Sequence, residues 1–147
     1  MTTIRALTLW QPWASLLAAG TKRHETRSWR IPPALLGTRI AIHAGAGNAP
    51  GRMITPELEA LCNRTFGPHW RRTLPKGRIL CTCTLAADLA TEDAIADAHP
   101  DDVASGVWTP GRHAWLIADL QAVDRPEPVS GRQGVWTWSY EGPLEAS

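Results

Sequence analysis

Apolar residues in this chain alternate with polar ones over short segments, and prolines, glycines or short helical patterns separate these segments. The clearest example is Ile79–Leu85, where four apolar residues are expected on one face and two threonines on the other. The predicted strands are Ile4–Trp10, a strand entered within Lys22–Trp29, Thr38–Ala44, Ile79–Leu85, His113–Leu120 and Val135–Tyr140. Five or six short strands with small helices between them predict an α+β fold built on a small mixed β-barrel.

Helical signals lie between these strands. The predicted helices run from Pro12 to Gly20, onward from Thr55-Pro56, and from Thr91 to Pro100. Pro12 suits a first helical position, Gly20 a C-terminal cap, and Thr55 an N-cap. Residues 45–51 and 63–78 are predicted to be loops, and the second of these is rich in basic residues.

Length and composition fit an ordinary globular protein, with 147 residues of which 44% are hydrophobic and 20% charged. This length predicts one domain over 1–147. No apolar run approaches the roughly 18 residues that cross a bilayer, so no membrane span is expected. Gln11-Pro12 interrupts the apolar stretch near the N-terminus, which argues against a secretory signal. Together with an odd number of cysteines, this favours the cytoplasm.

Cysteine and histidine spacing gives little support for a metal site. Cys81 and Cys83 lie on one predicted strand face, and a thiolate pair is conceivable there. Free cysteine is among the most buried residue types, so two small core residues are the favoured interpretation. Cys62 and His69 lack a second ligand pair at zinc spacing. Neither a metal nor a cofactor is predicted.

Charge is distributed unevenly along the chain. Twelve basic and three acidic residues precede residue 81, whereas three basic and eleven acidic residues follow it, and 13 of the 15 basic residues are arginine. Arginine grips phosphate with a planar fork and stacks on bases, so the pattern suggests a surface that binds a polyanion such as nucleic acid. The alternative is that the two halves interleave in space and their charges pair at the surface.

The densest polar cluster spans residues 20–27 and follows the predicted end of the first helix. If strand geometry begins near Arg23, then Arg23, Glu25 and Arg27 share one face. A carboxylate between two arginines orders their guanidinium groups, and Lys22 in the preceding turn can reach the same space. Such a group can hold a phosphate or the polar edge of a base, or act as acid and base. A solvated edge strand with surface ion pairs is the alternative.

This cluster resembles the signature of the ASCH family (activating signal cointegrator homology domain), G-x-K-x-x-E-x-R. All four fixed positions match, at Gly20, Lys22, Glu25 and Arg27. Flanking segments that look like those of the family are 7–14, 39–44 and 131–136, with unmatched loops at 45–77 and 88–112. The resemblance implies a PUA-like β-barrel of five to six strands with short peripheral helices, a fold used for RNA binding.

The resemblance further implies a cleft between barrel and helix in which RNA, a nucleoside or a nucleotide binds. The residues expected to bind the ligand are Lys22, Glu25, Arg27, His43, Trp10, Trp13 and Trp29. Tryptophans near arginines serve as stacking platforms for bases. For His43, a hydrogen bond to a backbone carbonyl is an equally open role.

Enzymatic activity at the same cleft is the second hypothesis. Some ASCH proteins are reported as ribonucleases, and one bacterial branch hydrolyses N4-acylcytidines with a lysine, a threonine three positions later and a more distant glutamate. Lys22 matches that lysine, but Glu25 holds the threonine position, and Thr26 is expected on the opposite strand face. Lys22 and Glu25 are therefore the catalytic candidates if the chain is an enzyme. An RNA- or nucleotide-binding module is predicted first, an amidohydrolase or ribonuclease second, and a protein-interaction adaptor third.

Overall fold

A computed structural model describes residues 1–144, and one mixed sheet of six strands forms its centre. The strands are β1 (Thr2–Gln11), β2 (His24–Arg27), β3 (Arg39–Asn48), β4 (Arg78–Ala90), β5 (His113–Ala122) and β6 (Val135–Tyr140). Their order across the sheet is β2-β5-β4-β3-β1-β6. The β1–β3 pair is parallel, and the other four pairs are antiparallel. This confirms a mixed sheet with the predicted number of strands.

The predicted closure into a barrel is not formed. Closure requires the two edge strands of a sheet to pair with a regular stagger. Here β2 and β6 are the edges, and within residues 1–144 each pairs with one neighbour only, β2 with β5 and β6 with β1. With four residues, β2 offers little backbone for a second partner. The sheet therefore stays open, with β2 at one edge and β6 at the other.

Five short helices surround the sheet: α1 (Trp13–Ala18), α2 (Pro56–Phe66), α3 (Trp70–Thr73), α4 (Thr91–Ala94) and α5 (Pro100–Ala104). Single 3₁₀ turns occupy Pro33–Leu35, Gly51–Met53 and Ile95–Asp97. The predicted start of α2 is confirmed, because the Thr55 hydroxyl accepts a hydrogen bond from the Leu58 amide. Gly20 follows α1 with φ +81°, as a helix-ending glycine does. None of the described helices has the length and apolar character that crossing a bilayer requires.

Two segments predicted to be loops contain regular secondary structure. The predicted loop 45–51 is partly strand, because β3 continues to Asn48 and pairs there with Gln11. The predicted basic loop 63–78 contains the end of α2 and all of α3. Trp70 is fully buried there, and packs into a cluster with Leu16, Leu58, Leu61 and Cys62. Burial of this large ring fixes a segment whose composition suggested an exposed loop.

Pro100 begins a helix, whereas the sequence predicted that the helix from Thr91 ends there. It is the first residue of α5, where the missing N–H costs nothing, and the ring of His99 accepts a hydrogen bond from the Asp101 amide. The acidic segment before it is broken into α4 and a 3₁₀ turn. This places α5 beside the beginning of β2, where it borders the site described below.

The core lies on both faces of the sheet, as the alternation in β3 predicts. Ile40 and Ile42 join the larger cluster under α1, while Ala41 joins a smaller one with Trp138. The predicted common face of residues 79–85 is only partly correct. Ile79 belongs to the smaller cluster, because a bulge in the β3–β4 pairing shifts the register at that end of β4.

The two cysteines of β4 are core residues, as predicted. Cys81 and Cys83 are completely buried, and burial raises the pKa of both thiols, to about 12 for Cys83. Thiols in such surroundings stay protonated and are inert as nucleophiles or metal ligands. Cys81 and Cys83 therefore serve as packing residues in the core.

Candidate functional site

A cleft of about 760 Å³ opens between the ends of β1 and β3, the segment from Lys22 through β2, and two loops. One loop follows α5 at residues 105–107. The other is the segment 128–134 before β6, called the strap below. The lining includes Thr8, Trp10, Trp13, Lys22, Glu25, Thr26, Arg27, His43, Gly106, Arg112 and every residue of the strap.

Three of the signature residues meet in an ion-pair chain at the floor of this cleft. Lys22 Nζ lies 3.3 Å from Glu25 Oε1, and Arg27 Nε donates to Glu25 Oε2 at 2.8 Å. Lys22 and Glu25 are almost completely buried, whereas Arg27 is partly exposed. Lys22 also donates to the carbonyl of Ser105 at 2.8 Å. Ser105 thus takes one N–H donor of the ammonium and Glu25 balances its charge, so donor capacity remains for a molecule in the cleft.

Thr26 lies in the same cleft, although strand alternation suggested that it faces away from Glu25. The loop after α5 wraps over this end of β2, and the Val107 amide donates to Thr26 Oγ1 at 3.0 Å. A Cβ atom on Gly106 would lie 2.8 Å from Thr26 Oγ1 and 3.3 Å from Lys22 Nζ. The hydroxyl and the amine therefore both lie close to Gly106, where a side chain would crowd them.

Helix α5 fixes the chain just before β2. Asp102 accepts hydrogen bonds from the Arg23 and His24 amides at 2.8 and 3.2 Å, and its second oxygen lies 2.7 Å from His24 Nδ1. Burial by itself raises the pKa of the Asp102 carboxyl, but these donors favour the charged form, and the pKa lies below its usual value. Since Ser105 one turn later holds Lys22, helix α5 sets both the backbone and the side chain of the signature segment.

His43 ties the strap to the sheet. Its Nε2 lies 2.6 Å from the carbonyl oxygen of Val129, which can only accept, so Nε2 carries the proton. Nδ1 then accepts from the Thr8 hydroxyl at 3.1 Å, and Thr8 in turn accepts from the Trp136 indole at 2.9 Å. Burial lowers the pKa of His43, which keeps the ring neutral. His43 thus bonds a backbone carbonyl, which is one of the two roles left open by the sequence, and it also lines the cleft, while its role in ligand binding stays a prediction.

The three tryptophans expected at the site do not lie together. Trp10 and Trp13 both line the cleft, with ring centroids 6.4 Å apart, and Trp10 is 45% exposed. Trp29 is not part of the lining. It packs edge-on against Trp115, and the Arg27 guanidinium lies 5.5 Å from its ring centroid. Only the first two can face a molecule inside the cleft.

Several lining groups were not predicted from the sequence. Arg112 donates to the carbonyls of Val107 and Thr26 and so joins the loop after α5 to β2. The strap with Arg132 and the glycine at 106 were also missed as site residues. The strap could have been predicted as part of the site, because segment 131–136 resembles a segment of the family. Arg112 and Gly106 could not, because they lie in a part of the sequence without any recognisable motif.

A metal centre is not evident in the described part of the chain. Within residues 1–144 no group of three or more His, Cys, Asp or Glu side chains is placed to hold an ion. In the cleft, both oxygens of Glu25 are already engaged by Lys22 and Arg27. What this arrangement offers a ligand is positive charge, one carboxylate, a hydroxyl and exposed indole surface.

Comparison with known proteins identifies the family. The family model described as "ASCH domain" matches residues 7–132. Crystal structures of an ASCH protein from Zymomonas mobilis and of a single-residue mutant of it are 18% and 16% identical to this chain. The alignments cover 86% of this chain and 72% and 74% of those chains, with TM-scores of 0.48 and 0.45. No curated protein sequence matches. Since the family match spans most of its length, the chain belongs to the ASCH domain family.

Proposed function

We propose that this chain, as a single ASCH domain of PUA-like type, binds single-stranded RNA or a nucleotide in the cleft. The observation that carries the proposal is the buried chain Lys22–Glu25–Arg27 in a cavity that also exposes Trp10. Charged groups at this depth have lost most of their hydration, so they bind a polar ligand more strongly than surface charges do. Three free cysteines within residues 1–144 fit a reducing compartment, and we place the function in the cytoplasm.

A nucleobase matches two kinds of group that line the cleft, an exposed indole and a lysine next to a carboxylate. Trp10 offers an indole face that is 45% exposed, and stacking on an aromatic ring is worth about 1–3 kcal/mol per base. The remaining N–H of Lys22 and the free lone pairs of the Glu25 carboxylate present a donor next to an acceptor. The polar edge of a base carries the complementary pattern. A base paired in a duplex could not use this cavity, which favours unpaired RNA.

Equilibrium binding of a labelled single-stranded RNA of about ten nucleotides tests this proposal. Lys22→Ala and Glu25→Gln should each weaken binding at least tenfold. Arg72→Gln, an exposed arginine outside the cleft lining, is the control and should leave affinity within about twofold of wild type. Thermal unfolding of each variant verifies that it is folded. Equal affinities for wild type and both cleft variants would contradict binding at this site.

Hydrolysis at the same cleft is the second candidate, and one observation favours it. Thr26 Oγ1 and Lys22 Nζ both lie close to Gly106 in the cleft, so a lysine and a threonine share this site although the residue spacing did not suggest it. The Val107 amide also donates to Thr26 Oγ1, which stabilises negative charge on that oxygen. Paired with Glu25, Lys22 would supply positive charge to a developing oxyanion.

A panel of N4-acylcytidines and labelled RNA separates binding from turnover. An enzyme would release cytidine or RNA fragments at a rate that falls at least a hundredfold in Thr26→Val, which keeps the shape of the side chain but removes its hydroxyl. Lys22→Ala and Glu25→Gln should abolish the same activity. Tight RNA binding without product from either substrate class leaves the binding module as the function.

A further inference from the structure

The strap is anchored at its beginning by a small set of contacts. The Val129 amide donates to the Gly77 carbonyl at 2.7 Å, and the Val129 carbonyl accepts from His43. Two residues later the backbone passes directly over the His43 ring. A Cβ atom on Gly131 would overlap that ring and lie 2.8 Å from Thr8 Oγ1. The strap is therefore held in a fixed position against the sheet, although it has no regular secondary structure.

Beyond this anchor the strap presents donors that the protein itself does not use. Within residues 1–144, the amides of residues 130–132 and the Ser130 hydroxyl have no hydrogen-bond partner. Arg132 is exposed and forms no ion pair in the same part of the chain. All of these residues line the cleft. Backbone amides and arginine side chains are groups that bind anions, and in the strap they follow one another along the chain.

The charges around the cleft point to the same class of ligand. Among residues 1–144, four cationic side chains line it, namely Lys22, Arg27, Arg112 and Arg132, against one carboxylate, that of Glu25. Glu25 is shared by Lys22 and Arg27 at the floor, so it does not neutralise Arg132 on the strap. A neutral ligand would leave this excess of positive charge uncompensated inside a concave site, where the field is strongest.

We propose that the strap is the phosphate-binding element of the cleft, with Arg132 as its charged contact, and that the ligand is a phosphorylated nucleotide rather than a neutral nucleoside. This inference rests on the proposed function, because it assumes that the cleft holds a nucleotide. The base lies towards Trp10 and the signature residues, and the phosphate lies on the strap. Since His43 and Gly131 fix the strap in advance, the ligand does not have to order it.

Calorimetric titration of the intact chain with each of the four ribonucleosides and its 5′-monophosphate tests the inference. The monophosphate of at least one base should bind ten times more tightly than its nucleoside. Arg132→Gln should remove most of that preference and leave the nucleoside affinity unchanged. Arg72→Gln, with the same loss of charge outside the cleft lining, should keep the preference. Because Arg132 is exposed, the variant should unfold at the wild-type temperature.

The possible outcomes separate this inference from the function on which it rests. Equal affinity for nucleoside and monophosphate in the wild type overturns the phosphate site but keeps a nucleoside-binding cleft. A preference that survives Arg132→Gln overturns the assignment to the strap. Failure of nucleosides, monophosphates and single-stranded RNA to bind at all overturns the proposed function and this inference together.

Discussion

Two glycines with different surroundings show how closely the strap fits the sheet. A side chain on Gly131 would overlap the His43 ring, whereas nothing lies within 4 Å of the corresponding position on Gly47. We expect Gly131→Ala to lower the free energy of unfolding by about 1–3 kcal/mol, because the strap must move to admit the methyl group. Gly47→Ala should be nearly neutral. Urea unfolding of both variants measures this difference, and equal stabilities would mean that the strap is not seated on His43.

The charge state of His43 predicts a dependence of stability on pH. Burial lowers the pKa of His43 in the folded protein below the value of 6.5 that it has when exposed. As the pH falls below 6.5, the unfolded chain therefore takes up this proton before the folded protein does, and stability decreases until the folded-state pKa is reached. At pH 7 and above, this loss is absent.

The variant His43→Gln isolates that contribution. Glutamine retains an N–H that can reach the Val129 carbonyl but does not titrate. Between pH 7 and pH 5, the free energy of unfolding should fall less steeply in this variant than in wild type, as measured by urea denaturation at each pH. Other titrating groups are common to both proteins and cancel in the comparison. Parallel pH profiles would show that His43 stays in one charge state over this range.

Among the secondary-structure elements, α5 is the one whose position most directly controls the signature residues. The buried carboxylate of Asp102 on this helix bonds the Arg23 and His24 amides and the His24 ring. Asp102→Ala should lower the free energy of unfolding by about 1–3 kcal/mol, because two backbone amides and the His24 ring lose their hydrogen-bond partner. It should also weaken RNA binding, because the backbone that carries Lys22 is no longer held.

A second aspartate–histidine pair provides a matched control. Asp88 accepts a hydrogen bond from the Ile31 amide and lies 2.8 Å from His113 Nδ1, but it is not part of the cleft lining. Asp88→Ala should lower stability while leaving the affinity of the folded protein for single-stranded RNA unchanged. Urea titrations and binding isotherms on both variants separate the two effects. If Asp88→Ala weakens binding as much as Asp102→Ala, the role of α5 is only general stability.

Elements with a strong local signal were predictable, and those defined by distant contacts were not. The start of α2 at Thr55 and the alternation in β3 follow from neighbouring residues. The helix around Trp70 and the bulge near Ile79 depend on packing partners far away in the sequence. Lys22, Glu25 and Arg27 could be singled out because they lie within six residues of one another. Thr26 joined them only because a loop from residues 105–107 folds over β2.

At the scale of the whole molecule, the order of the strands mixes the two halves of the chain. Strand β5, from the acidic half, pairs with β2 of the basic half, and β6 of the acidic half pairs with β1 of the basic half. Ion pairs such as Arg64–Asp101 also join the halves. Surface charge is therefore partly neutralised between the two halves of the chain. This agrees with the alternative interpretation of the charge pattern, in which the two halves interleave in space. The cleft keeps an excess of positive charge, because its lining draws cations from both halves and a carboxylate only from Glu25.

This distribution predicts how salt affects RNA binding. Each phosphate contact to single-stranded nucleic acid contributes about 0.7 to the slope of log affinity against log salt concentration. If binding depends on the cleft, Arg132→Gln should reduce the magnitude of that slope by about 0.7, whereas Arg72→Gln should not change it. Fluorescence anisotropy with one labelled RNA across a series of salt concentrations gives both slopes. Equal reductions in the two variants would mean that exposed arginines attract RNA diffusely and that the cleft contributes no phosphate contact of its own.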